Sequence, residues 1–150
     1  MGPRLDVSPE ELEGRNQRSA LFKLFLAFRA TEAKDWRSNL AISLDHSGPH
    51  HRLQFHHIFP KAQLKKGFTS REAVDIANLA FVGGETNRGI SDKPPATYLP
   101  PLVAQHGAQV FDAQAIPIEA DLLAVPNYKA FLTQRRKLIA ARLNEFLVAF

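Results

Sequence analysis

Cysteine is absent from the 150 residues. That removes disulfides, zinc knuckles and thiol nucleophiles together, and it fits a reducing compartment. Long apolar runs are missing as well. The run at residues 24–28 is flanked by charges and falls far short of the roughly 20 residues that cross a bilayer. No signal peptide is read, because no apolar core follows Met1-Gly-Pro-Arg-Leu-Asp6. There is no Gly-rich loop ending in Gly-Lys-Ser or Gly-Lys-Thr, which excludes nucleotide hydrolysis by the P-loop route. Internal repeats and low-complexity tracts are also lacking. The chain therefore reads as one cytoplasmic domain, long enough to bury a core without covalent staples.

What is present is ordinary for a globular protein, with 45% hydrophobic and 23% charged residues, and this excludes the disordered and fibrous classes. A formal net charge of +4 leans toward polyanionic partners. Ser8-Pro9-Glu10-Glu11 is a helix start: a Ser cap, Pro at the first helical position and Glu three residues on. Leu21, Leu24, Phe25 and Phe28 then recur at helical spacing, so a helix is expected over residues 8–32. Tyr128, Phe131, Leu132, Arg135, Leu138, Ile139, Arg142, Leu143, Phe146 and Leu147 predict a second long helix over 127–148. Its charges, Lys129, Arg135, Arg136, Lys137 and Arg142, read as a solvated face rather than a DNA-contacting stripe.

Between these helices the pattern shortens. A strand is expected from Leu53 to the histidine pair, a short helix over 70–76 capped by Thr69 or Ser70, and a second strand over 77–82, halted by Gly83-Gly84. Residues 85–93 suit a short helix that Pro94 and Pro95 must end or kink. From 96 to about 120 the chain reads as proline-bearing loop with a small helix near 101–106.

The stretch Leu53-Gln-Phe-His56-His57-Ile-Phe-Pro60 sets two imidazoles in an apolar run. Their four ring nitrogens need partners, and leaving them unpaired in a core is costly. His56-His57-Ile58-x-Pro60, then Asn78-Leu79, then Asn87-Arg88 resemble the HNH endonucleases and their ββα-metal site. The longer pattern resembles the nuclease half of GmrSD-type modification-dependent restriction enzymes. It comprises His-His-Ile-Phe-Pro-Lys-Ala, Ile-Ala-Asn-Leu-Ala-Phe and Thr-Asn-Arg-x-Ile-Ser-x-Lys-Pro-Pro-x-x-Tyr-Leu. Asp35-Trp36 and residues 131–139 are similar to that group too, so the resemblance covers most of the chain from about residue 18.

The resemblance implies an α+β domain, mainly helical, around a ββα-metal (HNH) core at 53–93. It implies metal-dependent hydrolysis of DNA phosphodiester bonds in a restriction or anti-phage defence protein. His57 matches the general base, and histidine is the side chain tuned to take a proton from water near neutral pH. His56 and Asn87 match metal-ligand positions, and Asn78 matches the residue that holds the loop after the base. Many members carry an aspartate where His56 stands, so the inferred ligand pair brings no negative charge. Mg²⁺ or Mn²⁺ is the expected metal, and imidazole also suits Ni²⁺ or Zn²⁺.

Glu85, Asp92 and Asp75 read as capping or surface carboxylates and stay outside the ligand set. Arg88 and Lys93 are expected phosphate contacts. His46, His50 and His51 read as exposed loop residues, and His106 has no partner visible in the sequence. The expected partners are double-stranded DNA, modified or not, a separate NTPase or sensor domain, and a second copy of the chain. The alternatives are an HNH scaffold that binds nucleic acid without cutting it, and a domain whose histidines hold a structural metal.

Neighbouring strand residues point to opposite faces. The two imidazoles can serve one phosphate only if the extended geometry breaks after them, which Ile58-Phe59-Pro60 is placed to enforce.

Overall fold

In the computed structural model of the chain, residues 7–14, 53–83 and 90–148 are described. They form a mixed, mainly helical arrangement with one two-stranded antiparallel sheet, an α+β class. In chain order the elements are α1 (Pro9–Leu12), β1 (Leu53–His57), α2 (Lys61–Leu64), α3 (Ser70–Ala73), β2 (Leu79–Gly83), α4 (Pro95–His106), α5 (Gln109–Asp112) and α6 (Tyr128–Val148). Short 3-10 turns at Ile76–Asn78, Ala120–Leu123 and Val125–Asn127 connect them. Among the described residues no helix is long and apolar enough to cross a membrane.

α6 is the spine, and it matches the expected 127–148. Tyr128, Phe131, Leu132, Ile139 and Leu143 are buried along one side, as their spacing requires. Each such burial stabilises by about 1.5–3 kcal/mol. Phe59 packs on this side, its ring 5.0 Å from Tyr128 and 4.9 Å from Phe131. The loop leaving the histidine pair is therefore anchored to the core two residues after His57.

Arg135 corrects the expected solvated face. It is fully buried, and its guanidinium donates to the backbone carbonyls of Ala115 (3.3 Å), Gln114 (3.0 Å), Ile76 (3.4 Å), Ala77 (3.1 Å) and Leu79. The fork of donors on an arginine suits such a cluster of carbonyls. Burial pulls its pKa down to about 9, which leaves it cationic at neutral pH. Three other charges expected on that face have acidic partners: Arg136 with Asp75 (2.8 Å), Lys129 with Glu72 (3.5 Å) and Arg142 with Asp112 (2.8 Å).

The helix expected over 8–32 does not run on from Ser8. The Ser8 N–H does donate to Glu11 Oε1 at 3.3 Å, as a capping glutamate should provide. The helix nevertheless ends at Leu12, and Gly14 turns the chain at φ +73°, a conformation that favours glycine. Residues 15–32 of that expected helix lie outside the described residues. α1 packs on α6, where Val7 and Asn144 exchange two hydrogen bonds of 2.6 and 3.0 Å.

The strand boundary also moves. Residues 77 and 78 belong to a 3-10 turn rather than to β2, because the Asp75 side chain accepts from the Ala77 N–H at 2.9 Å and caps that turn. α3 is shorter than the expected 70–76, and its cap is Thr69, whose N–H donates to Glu72 while its hydroxyl accepts from the Glu72 N–H. The region expected as loop from 96 holds α4, twelve residues with Pro95 at its start and Pro100 and Pro101 inside. Pro95 is pre-set for a first helical position, and the inner prolines forgo two N–H donors within an otherwise continuous helix.

Candidate active site

β1 pairs with β2 in the register Phe55 to Phe81, His56 to Ala80 and His57 to Leu79. The ladder ends there. Ile58 N–H still reaches the Asn78 carbonyl (2.8 Å), and then the chain bends into Pro60 and α2. The break sits where the two imidazoles need it. His56 is 3% exposed and His57 is half-buried, yet both line one open cleft of about 260 Å³. The remaining walls are Pro60, Lys61 and Ala62 from the start of α2, and Ser91 and Asp92 from the turn before α4. Gln63 ties these walls together by donating to the Asp92 carbonyl at 2.9 Å.

Asn78, at the end of the 3-10 turn before β2, is fully buried. Its Oδ1 accepts from the Phe59 N–H (2.7 Å), and its Nδ2 donates to the carbonyls of Phe59 (2.9 Å) and Ala73 (3.0 Å). A side-chain amide has two donor hydrogens and two acceptor lone pairs, and here both hydrogens and one lone pair are matched. Asp75 fixes the turn that delivers Asn78. Besides capping that turn, its carboxylate accepts from the Gly14 N–H (3.1 Å) and the Arg136 guanidinium (2.8 Å). Such a committed carboxylate is no candidate cation ligand.

His57 titrates below the ordinary imidazole range, because burial disfavours its charged form and the Lys61 ammonium adds repulsion. At neutral pH it is therefore an unprotonated base. The Nε2 of His56 lies 3.0 Å from the hydroxyl of Tyr98, on the first turn of α4. Burial holds the Tyr98 phenol well above its usual pKa, so it is a neutral hydroxyl.

The residues expected from the sequence divide into two groups. His56, His57 and Asn78 are brought together around the end of β1. Asn87 and Arg88 lie outside the described residues, as do Glu85, His46, His50, His51 and residues 85–89 of the helix expected over 85–93, whose described end leaves the helix in a turn at Ser91 and Asp92. Lys93 is exposed and lies beyond the described lining of the cleft. Asp92, set aside in the sequence, does line it. Lys61 and Ser91 carry no expected role from the sequence, although both stand inside the patterns quoted for the resemblance. Ser91 adopts φ +54°, which its neighbours in sequence do not announce.

Among the described residues no three His, Asp or Glu side chains converge on one point. The donors that the described cleft offers a cation are one buried imidazole and the Asp92 carboxylate, a set that fits a hard or borderline divalent ion sharing its coordination with substrate oxygens. A larger cleft of about 320 Å³ contains neither histidine. Within it Asp75 pairs with Arg136 and Glu72 with Lys129. No protein-family profile matches the chain, and no curated protein or solved structure matches it either.

Proposed function

We propose that this chain is a metal-dependent DNA endonuclease with a ββα-metal (HNH) core, acting as the effector of a restriction or anti-phage defence protein. The observation that carries the reading is the shared cleft: an unprotonated, half-buried His57 beside a buried His56 and the Lys61 ammonium, at the point where β1 ends.

Phosphodiester hydrolysis needs an activated water, stabilised charge on the phosphoryl oxygens and help for the departing oxygen. His57 takes the proton from water. Lys61 offers its charge to a phosphate oxygen, and the arriving phosphate in turn offsets the repulsion between Lys61 and His57. The imidazole therefore becomes a stronger base when substrate is in place. Asn78 holds Phe59, and through it the backbone after His57, against movement. His56, with Asn87 by the family resemblance and Asp92 as the cleft's carboxylate, would hold Mg²⁺ or Mn²⁺. When bound, that ion supplies electrophilic stabilisation of the phosphate and its leaving oxygen. Target choice falls to an NTPase or sensor domain.

The test is nicking of supercoiled plasmid with Mg²⁺, Mn²⁺ and Ni²⁺, alongside chelator and His57→Ala controls. Wild-type protein should nick in a metal-dependent way, with His57→Ala folded and inert. Equal activity in the two proteins overturns the mechanism. DNA binding without nicking under every metal favours a silent scaffold instead.

A further inference from the structure

The phenol of Tyr98 contacts the two residues that flank His57 in sequence, His56 and Ile58. Its oxygen is 3.0 Å from His56 Nε2 and 2.5 Å from the Ile58 carbonyl, with the rings edge-on at 75° and 5.6 Å between centroids. A carbonyl oxygen can only accept, so the single phenolic proton is directed to Ile58. Toward His56 the phenol then presents a lone pair. An imidazole nitrogen facing a lone pair at that distance must carry the proton, since two acceptors there would repel.

We infer that Tyr98 is a positioning residue for His56, holding the imidazole as the Nε2–H tautomer and thereby placing its lone pair on Nδ1. The mount is stiff. Tyr98 and Thr97 both donate their N–H groups to the Pro94 carbonyl, at 3.2 and 2.9 Å, and Pro95 fixes the first helical position after it. The inference deepens the nuclease reading, and rests on it for the statement that Nδ1 is the nitrogen offered to a divalent cation. A ligating histidine whose other nitrogen lacks its oriented partner loses about 10–100-fold in metal affinity.

The experiment uses metal-free protein labelled with ¹⁵N-histidine, at a pH above the imidazole range, with His56→Gln to assign the signals. The expected wild-type spectrum has His56 protonated at Nε2 and bare at Nδ1. Tyr98→Phe should lose that fixed tautomer and bind Mn²⁺ about 10–100-fold more weakly by calorimetry.

Tyr128→Phe is the matched control, because Tyr128 also donates a buried hydroxyl to a backbone carbonyl, that of Glu72 at 2.6 Å, and lies outside the cleft. It should keep wild-type Mn²⁺ affinity, whereas a merely structural effect would weaken both variants alike. A wild-type His56 protonated at Nδ1 overturns the inference, as does unchanged affinity in a folded Tyr98→Phe. The wild-type spectrum decides the matter even if Tyr98→Phe does not fold. Wild-type protein that binds no Mn²⁺ would refute the nuclease reading, and the tautomer would then be judged by the spectrum alone.

Discussion

Replacing Asn78 separates its shape from its hydrogen bonds. Asn78→Ala leaves the Phe59 N–H without its 2.7 Å acceptor and removes a donor from the carbonyls of Phe59 and Ala73, all in a fully buried setting. An unsatisfied buried group costs about 1–3 kcal/mol. The carbonyls suffer less than the N–H, so the sum is about 3 kcal/mol. For a chain of this size that lowers the melting point by on the order of 10 °C. Asn78→Asp keeps the acceptor for Phe59 but turns the former donor into an oxygen facing two carbonyls, and it also buries a charge. It should be less stable than the alanine variant at pH 7.

The two variants differ in their pH response. The aspartate's folded pKa is raised above its unfolded value of about 3.9, so its deficit shrinks as pH falls through the folded pKa. The Ala deficit stays flat relative to wild type. Urea unfolding at pH 7 and pH 5 measures both. An Asn78→Asp protein as stable as wild type at pH 7 would show that Nδ2 does not donate to those carbonyls, and the account of the loop after His57 would fail.

His57 gives a kinetic and an equilibrium prediction. Because its pKa is lowered in the fold, nicking should rise with pH along an acid limb below pH 6.5 and be flat by neutrality. Lys61→Gln, which removes the repulsion, should move the limb in kcat/KM upward, and the wild-type limb in kcat should lie above that in kcat/KM. Between the folded pKa and the unfolded one, about 6.5, the unfolded chain binds more protons, so stability falls as pH drops through that window. His57→Gln should flatten this slope in denaturant titrations. Arg135→Met should destabilise by about 3–5 kcal/mol, as calorimetric or denaturant unfolding can measure, because it strips a cluster of buried carbonyls of their common donor. The Arg142–Asp112 pair, whose acid is 73% exposed, should give a coupling of no more than about 1 kcal/mol in a double-mutant cycle.

The long helix was legible because burial alone dictates its spacing: Tyr128, Phe131, Leu132, Ile139 and Leu143 admit one helical face. Arg135 was not, although it stands on that same face. A cation reads as solvated unless its acceptors are known, and these carbonyls lie 20 to 59 residues away in the chain. α4 was obscured by Pro100 and Pro101, which local rules treat as breakers but which a helix held by tertiary contacts tolerates. At the site, the histidine pair was visible as an anomaly and Asn78 through the family resemblance. Tyr98 is joined to His56 across 42 residues and had no local signature beyond its place in the Pro-Pro-x-x-Tyr stretch. Lys61 was overlooked because a lysine at the start of a four-residue helix resembles any surface charge until the cleft exists beside it.

The bond pair between Val7 and Asn144 spans 137 residues. During synthesis at about 5–20 residues per second, α1 leaves the ribosome on the order of ten seconds before the helix it leans on has been made. For that interval Leu12, wholly covered in the finished protein, lacks the α6 surface on which α1 packs. α1 thus takes its final place only once α6 exists, and a nascent-chain protease should cut it more readily until the final turns of α6 emerge.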